Sequence, residues 1–154
     1  MDELLAKFKP IIYIPNEDES RTLIEVIYEK YENYYVLWYH WPHDGYLTGR
    51  EDYEPVILII KDGKLANIGI RPHNHYQNST TWVPEKGKPV IVFTGAWHGP
   101  IIDQGQRLLA ITKRSLFSKR IEGYVANFRK PPNWFVSADA GLSVYAYAES
   151  LLNM

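Results

Sequence analysis

Short apolar runs separated by polar breaks dominate the chain, a spacing that predicts strands rather than long helices. Tyr34 to Trp41 predicts a strand with Val36, Trp38 and His40 on one face and Leu37, Tyr39 and Trp41 on the other. Val56 to Ile60 is a continuous apolar run of strand length, the pattern of a sheet centre covered on both sides. Asp62-Gly63 between Lys61 and Lys64 is a two-residue hairpin signal, and the return strand is expected over Leu65 to His75. Ile11 to Ile14 and Pro89 to Thr94 read as further strands, and the β-branched and aromatic content of Arg21 to Glu32 favours strand there too. Asp2 to Lys9 predicts a short helix stopped by Pro10. The stretch Gln106 to Phe128 mixes helix and strand signals before Pro131-Pro132, and Leu142 to Leu152 is a strand or a short helix. No repeat or linker interrupts the pattern. It predicts a single domain over residues 1–154, mainly β: an antiparallel sandwich with one or two short helices.

The hairpin has chemical consequences. With Asp62 and Gly63 as the turn, Glu54 is expected opposite Arg71, Asp52 opposite His73, and Arg50 opposite His75. Asp52 and Glu54 also share a strand face. Two carboxylates, two imidazoles and a guanidinium then gather in one patch. Such a patch is either a set of cross-strand ion pairs or a divalent-cation site with oxygen and imidazole ligands. Four of the five histidines, His40, His43, His73 and His75, lie in this half of the chain, and His98 follows the strand after it.

Composition narrows the chemistry further. The chain has no cysteine, which excludes disulfides, thiolate zinc sites, iron–sulfur clusters and a cysteine nucleophile. No apolar run approaches a membrane span and the acidic opening is unlike a secretory signal, so a soluble, cytoplasmic protein is the expectation. The net charge of −1 conceals a division: residues 1–60 carry 12 acids against 5 bases, and residues 61–154 carry 6 against 12. The bases concentrate in a segment containing Lys113, Arg114, Lys119, Arg120, Arg129 and Lys130, interleaved with Phe117, Tyr124 and Phe128. That pattern suits a phosphate or single-stranded nucleic-acid surface, but the overall acidity speaks against nucleic acid as a partner. With 12 Tyr and 5 Trp, aromatics either fill the core or form a stacking surface for a small molecule or glycan, Trp38, Trp41, Trp82 and Trp97 being the candidates.

The segments YYVLWYHWPHD, EDYEPVILI, IRPHNHY and GKPVIVFTGAWHGP, with the opening PIIYIPNEDES, resemble in order and spacing the necrosis-inducing-like proteins and their vacuolar-sorting-type relatives. The resemblance covers most of residues 10–100 and implies a β-sandwich. In that superfamily an acid after the aromatic strand and an acid–x–acid pair help to bind a divalent cation, which by position points to Asp44, Asp52 and Glu54 as ligands. His73 and His98 match its histidines on the return strand and after the later strand. Tyr53 stands where the family carries tryptophan, the histidine expected just before Asp52 is absent, and Glu51 is there instead. Cytolytic activity is not implied, because the secretory signal and cysteines of the toxin members are missing.

Three readings of function follow. A cation held by Asp44, Asp52 and Glu54 (Ca, Mg, Mn or Zn are not distinguished) could serve hydrolysis or ligand binding. His73 and His98 would then be acid–base candidates, and His43, His75, Arg71 and Trp97 would be binding residues. A non-enzymatic recognition module would use the aromatic surface, or the basic surface of Lys113, Arg114, Lys119 and Arg120. A cupin-type site would take His73, His75 and His98 as metal ligands, although no acid follows the histidine pair within residues 76–84.

Overall fold

A computed structural model describes residues 2–15, 23–42, 51–94, 99–115, 118–137 and 141–154. Helix α1 (Glu3–Phe8) opens the chain, its N-terminus capped by the Asp2 carboxylate, which accepts from the Leu5 N–H at 2.7 Å. Strands β1 (Ile11–Pro15), β2 (Glu25–Lys30), β3 (Tyr34–Trp41), β4 (Asp52–Lys61), β5 (Lys64–Ile70) and β6 (Gln77–Ser79) follow. Then come β7 (Val90–Thr94), β8 (Gly99–Ile102), helix α2 (Arg107–Arg114), β9 (Ser118–Ile121), β10 (Ala126–Phe128) and helix α3 (Val144–Leu152). Two 3₁₀ turns, Pro72–Asn74 and Asn133–Phe135, complete the order.

The strands form two sheets, one of four in the order β8-β7-β1-β9 and one of six in the order β10-β2-β3-β4-β5-β6. The protein is mainly β, a sandwich with short helices. The sheets are not wholly antiparallel: β1 pairs with β7, and β10 with β2, in parallel. Alternation along β3 explains why all eight of its residues are buried. Tyr35, Leu37, Tyr39 and Trp41 enter the core between the sheets, where the Tyr39 and Trp41 rings lie 5.0 and 5.2 Å from Phe93 of the opposite sheet. Tyr34, Val36 and Trp38 point outward, beneath Val144, Ala148 and Leu151 of α3. That helix takes the segment left open between strand and helix, because Ser143 caps it through the Ala146 N–H and its buried residues recur at helical spacing. On the smaller sheet Leu109 of α2 covers Ile11, Tyr13, Val90 and Val92. No helix among the described residues is long and apolar enough to cross a membrane.

The Asp62-Gly63 turn forms as expected, both residues having positive φ (54° and 72°), the signature of a hairpin turn that follows the twist of its strands. A β-bulge between Ile59 and Ile60 then shifts the register, so that Ile59 pairs with Asn67 and the ladder ends at Val56 opposite Ile70. The expected pairs Glu54–Arg71 and Asp52–His73 therefore do not form as ladder partners. The return strand stops at Ile70 rather than His75, because the chain turns at Pro72, which has no N–H to continue the ladder.

Candidate functional site

The end of β4 that outruns β5 carries the candidate chemistry. Asp52 and Glu54 alternate with Tyr53 and share a face with Val56 and Leu58, whose side chains line the core between the sheets. On the other side β3 supplies Trp41 opposite Asp52 and Tyr39 opposite Glu54. The two carboxyls thus stand at the mouth of the core, both partly buried. Burial, then the Asp52 charge and a hydrogen bond with Asp52, push the Glu54 carboxyl well above the usual carboxylate range, while Arg71 acts in the opposite direction. A hydrogen bond between two carboxyls needs a proton on one of them.

Arg71 follows the last residue of β5 and is 5% exposed. Its guanidinium carbon sits 5.8 Å from the ring centroids of both Trp38 and Tyr76, and its Nη1 has no hydrogen-bond partner. The chain then enters the Pro72–Asn74 turn, where His73 and Asn74 both adopt left-handed backbone, with φ of 50° and 69°. Non-glycine residues hold that conformation at a cost of order 1–3 kcal/mol each. The turn swings the His73 ring onto β8. A methyl group built at Gly99 would lie 3.4 Å from His73 Nε2, an ordinary contact distance that places the imidazole beside β8. His75 is exposed, with its N–H bonded to the Pro72 carbonyl at 3.0 Å. Because His73 lies in the turn, the two histidines do not share a strand face, which removes the geometry a cupin-type pair requires.

His43, Asp44, Trp97 and His98 lie outside the described residues. Among the described residues no three histidine, aspartate or glutamate side chains are arranged to hold a metal ion. The basic surface is partly committed internally: Lys113 bonds Asp103 at 2.6 Å and Glu85 at 3.0 Å, and Arg120 bonds Glu85 at 3.2 Å and Glu122 at 2.8 Å. Arg114 and Lys119 are exposed. Trp38 and Trp41 are core residues, whereas Trp134, which the sequence did not single out, is 70% exposed.

Two clusters on the outer face of the larger sheet also escaped the sequence reading. His40 stacks on Tyr53 at 4.0 Å between centroids, with Nδ1 2.8 Å from Glu25 and Nε2 2.5 Å from Glu51. Burial pushes Glu25 up, but hydrogen bonds from His40 and Arg129 outweigh it and hold the carboxyl below its usual value. Further along, Glu29 gathers Tyr31, Trp38 and Tyr145 around one buried carboxylate. Strand alternation could have placed Glu25, Glu29 and His40 on one face, but their partners come from residues up to 116 positions away.

No protein-family model matches the chain, and no curated protein matches it. Among solved structures the chain is similar to NLPPya, a necrosis and ethylene-inducing peptide 1-like protein, in complex with mannosamine. The identity is 15% and the TM-score 0.47, over 85% of this chain and 84% of that one. A mutant of NLPPya is similar at 16% identity and a TM-score of 0.42, over the same shares.

Proposed function

We propose that this sandwich is a binding domain that takes a divalent cation at Asp52 and Glu54, and a small polar molecule or glycan beside it. The observation that supports the reading is the carboxyl pair itself: two acids on one face, hydrogen-bonded to each other and partly withdrawn from water. Such a pair is relieved by a shared proton or by a cation. Two hard oxygen ligands fit magnesium, which binds through one or two carboxylates and keeps several waters, as well as calcium with further oxygens. Asp44 and His98 are proposed as additional ligand and rim residue. A bound cation there would polarise a carbonyl or phosphoryl oxygen of the ligand. On the protein's side Glu54 and Asp52 orient the ligand sphere, and His73, held against Gly99 at the rim, is the candidate for moving a proton. Binding and hydrolysis share this arrangement, and the binding step is tested first.

The experiment is thermal melting of chelator-treated protein with calcium, magnesium, manganese and zinc in turn. A ligand at about 100 times its Kd stabilises by about 2.7 kcal/mol, a readable shift. One cation is expected to raise the melting temperature of the wild type and to leave Asp52→Asn and Glu54→Gln unmoved. A flat wild-type response at saturating cation, or an equal shift in both variants, would remove the proposal.

A further inference from the structure

We infer that the same end of the sandwich receives an oxyanion, a carboxylate or phosphate group of the ligand, on the guanidinium of Arg71; this deepens the preceding reading by naming the ligand's chemistry, and rests on it only for the neighbouring cation. Arg71 is 5% exposed; its guanidinium carbon lies 5.8 Å from the ring centroids of Trp38 and Tyr76, and it hydrogen-bonds the Tyr76 hydroxyl. Aromatic faces attract a cation but accept none of its hydrogen bonds in the guanidinium plane. A guanidinium carries five N–H donors and keeps its charge at any pH a protein experiences. Here Nη1 has no acceptor at all. A buried charge in this condition is costly unless an acceptor of opposite sign completes it.

Among the described residues the Arg71 charge acts on Glu54, which is also hydrogen-bonded to Asp52. The backbone around the arginine is built rather than incidental. Two left-handed residues, His73 and Asn74, follow it closely, and the His73 ring lies beside Gly99 of β8. Tyr76, only partly buried, stands beside the guanidinium. An oxyanion suits a guanidinium fork through paired N–H···O bonds, and placed here it lies beside the cation proposed at Asp52 and Glu54. The bland alternative is a buried water on Nη1, which would satisfy the donor without any preference for anions.

The test uses the full chain, chelator-treated, in melts with sodium phosphate and sodium acetate against sodium chloride at matched ionic strength, each with and without the active cation. Phosphate or acetate is expected to raise the melting temperature above the chloride control, and the better of the two identifies the group. Arg71→Lys, which keeps the charge but loses the fork, is expected to weaken the effect at least tenfold in concentration. Arg71→Gln is expected to abolish it while the cation shift survives. Should Arg71→Gln fail to fold, the Arg71 Nε–H resonance of the wild type is followed during phosphate titration, and its saturable movement supports the assignment. No anion-specific shift in the wild type, or an undiminished one in both variants, overturns the inference even where the cation shift is present. A phosphate shift that needs Arg71 in a protein that binds no cation sinks the cation reading and leaves this one standing.

Discussion

Glu29 is 3% exposed, and both of its oxygens are fully used: Trp38 Nε1 donates at 2.9 Å, the Tyr31 hydroxyl at 2.5 Å, and the Tyr145 hydroxyl at 2.8 and 2.9 Å. Burial first, and then this carboxylate, hold the Tyr31 and Tyr145 hydroxyls above their ordinary range, so both remain donors under all ordinary conditions. The contact joins β2, β3 and α3, and it fixes the Trp38 ring that lies beneath Arg71. Glu29→Gln keeps the shape but replaces one acceptor oxygen by a donor group facing donors. Hydrogen bonds to charged groups contribute about 1.5–3 kcal/mol, and a buried donor left without an acceptor costs about as much again. The variant is therefore expected to lose about 2 kcal/mol or more in chemical denaturation, at unchanged m-value. A loss below about 0.5 kcal/mol would show that the three donors find other acceptors.

At the scale of elements, α3 reaches the sheet because Gly69 lets it. A methyl group at residue 69 would stand 3.1 Å from Leu151 Cδ1, 3.2 Å from Tyr147 Cε2 and 3.3 Å from Ile57 Cβ. The leucine tip can yield, but the Cβ of a central-strand isoleucine cannot. Gly69→Ala is expected to destabilise by about 1–3 kcal/mol through overpacking, seen as a lowered melting temperature. A variant as stable as the wild type would mean that the helix does not sit there. Much of this layer was legible beforehand. Period-two alternation marked β3, the continuous run Val56–Ile60 marked the covered centre, and Asp62-Gly63 marked the turn. What escaped was set by tertiary context. The bulge falls between Ile59 and Ile60, two like residues that offer no register marker, and a one-residue slip there reassigns every partner beyond it. Arg71 was consequently brought near Glu54 by the wrong ladder geometry. The turn at His73 and Asn74, the parallel pairing of β1 with β7, and the partners of Glu29 all depend on distant chain that local pattern does not report. Asp52 and Glu54, by contrast, needed only alternation to be placed on one face.

At the scale of the whole molecule, ends of the sandwich are tied by carboxylates as well as by apolar packing. Asp2 caps α1, accepts from the Tyr35 hydroxyl at 2.8 Å and pairs with Lys30 at 3.3 Å, fastening the helix to the larger sheet. Glu25 holds Arg129 beside the edge strand β10. Glu85 accepts from Tyr13, Lys113 and Arg120, joining β1, α2 and β9 of the smaller sheet. In all three, burial pushes the carboxyl up but the donors outweigh it, and each ends below its ordinary value of 3.8 for Asp2 or 4.5 for Glu25 and Glu85. A carboxyl whose folded pKa lies below its unfolded value contributes its full stabilisation above the unfolded pKa and loses it as pH falls through the folded one. The unfolding free energy is therefore expected to lose these contributions progressively below about pH 4.5, while titration of these groups leaves it flat at neutral pH. The substitution Asp2→Asn leaves the cap oxygen but removes the charge. It is expected to lower stability at pH 7 and to shrink the gap from the wild type as pH falls, with the two denaturation midpoints converging in acid. A gap that is constant with pH, or one that widens in acid, would mean that the Asp2 charge does not hold α1 to the sheet, and that the helix is retained by Leu5 and Phe8 in the core alone.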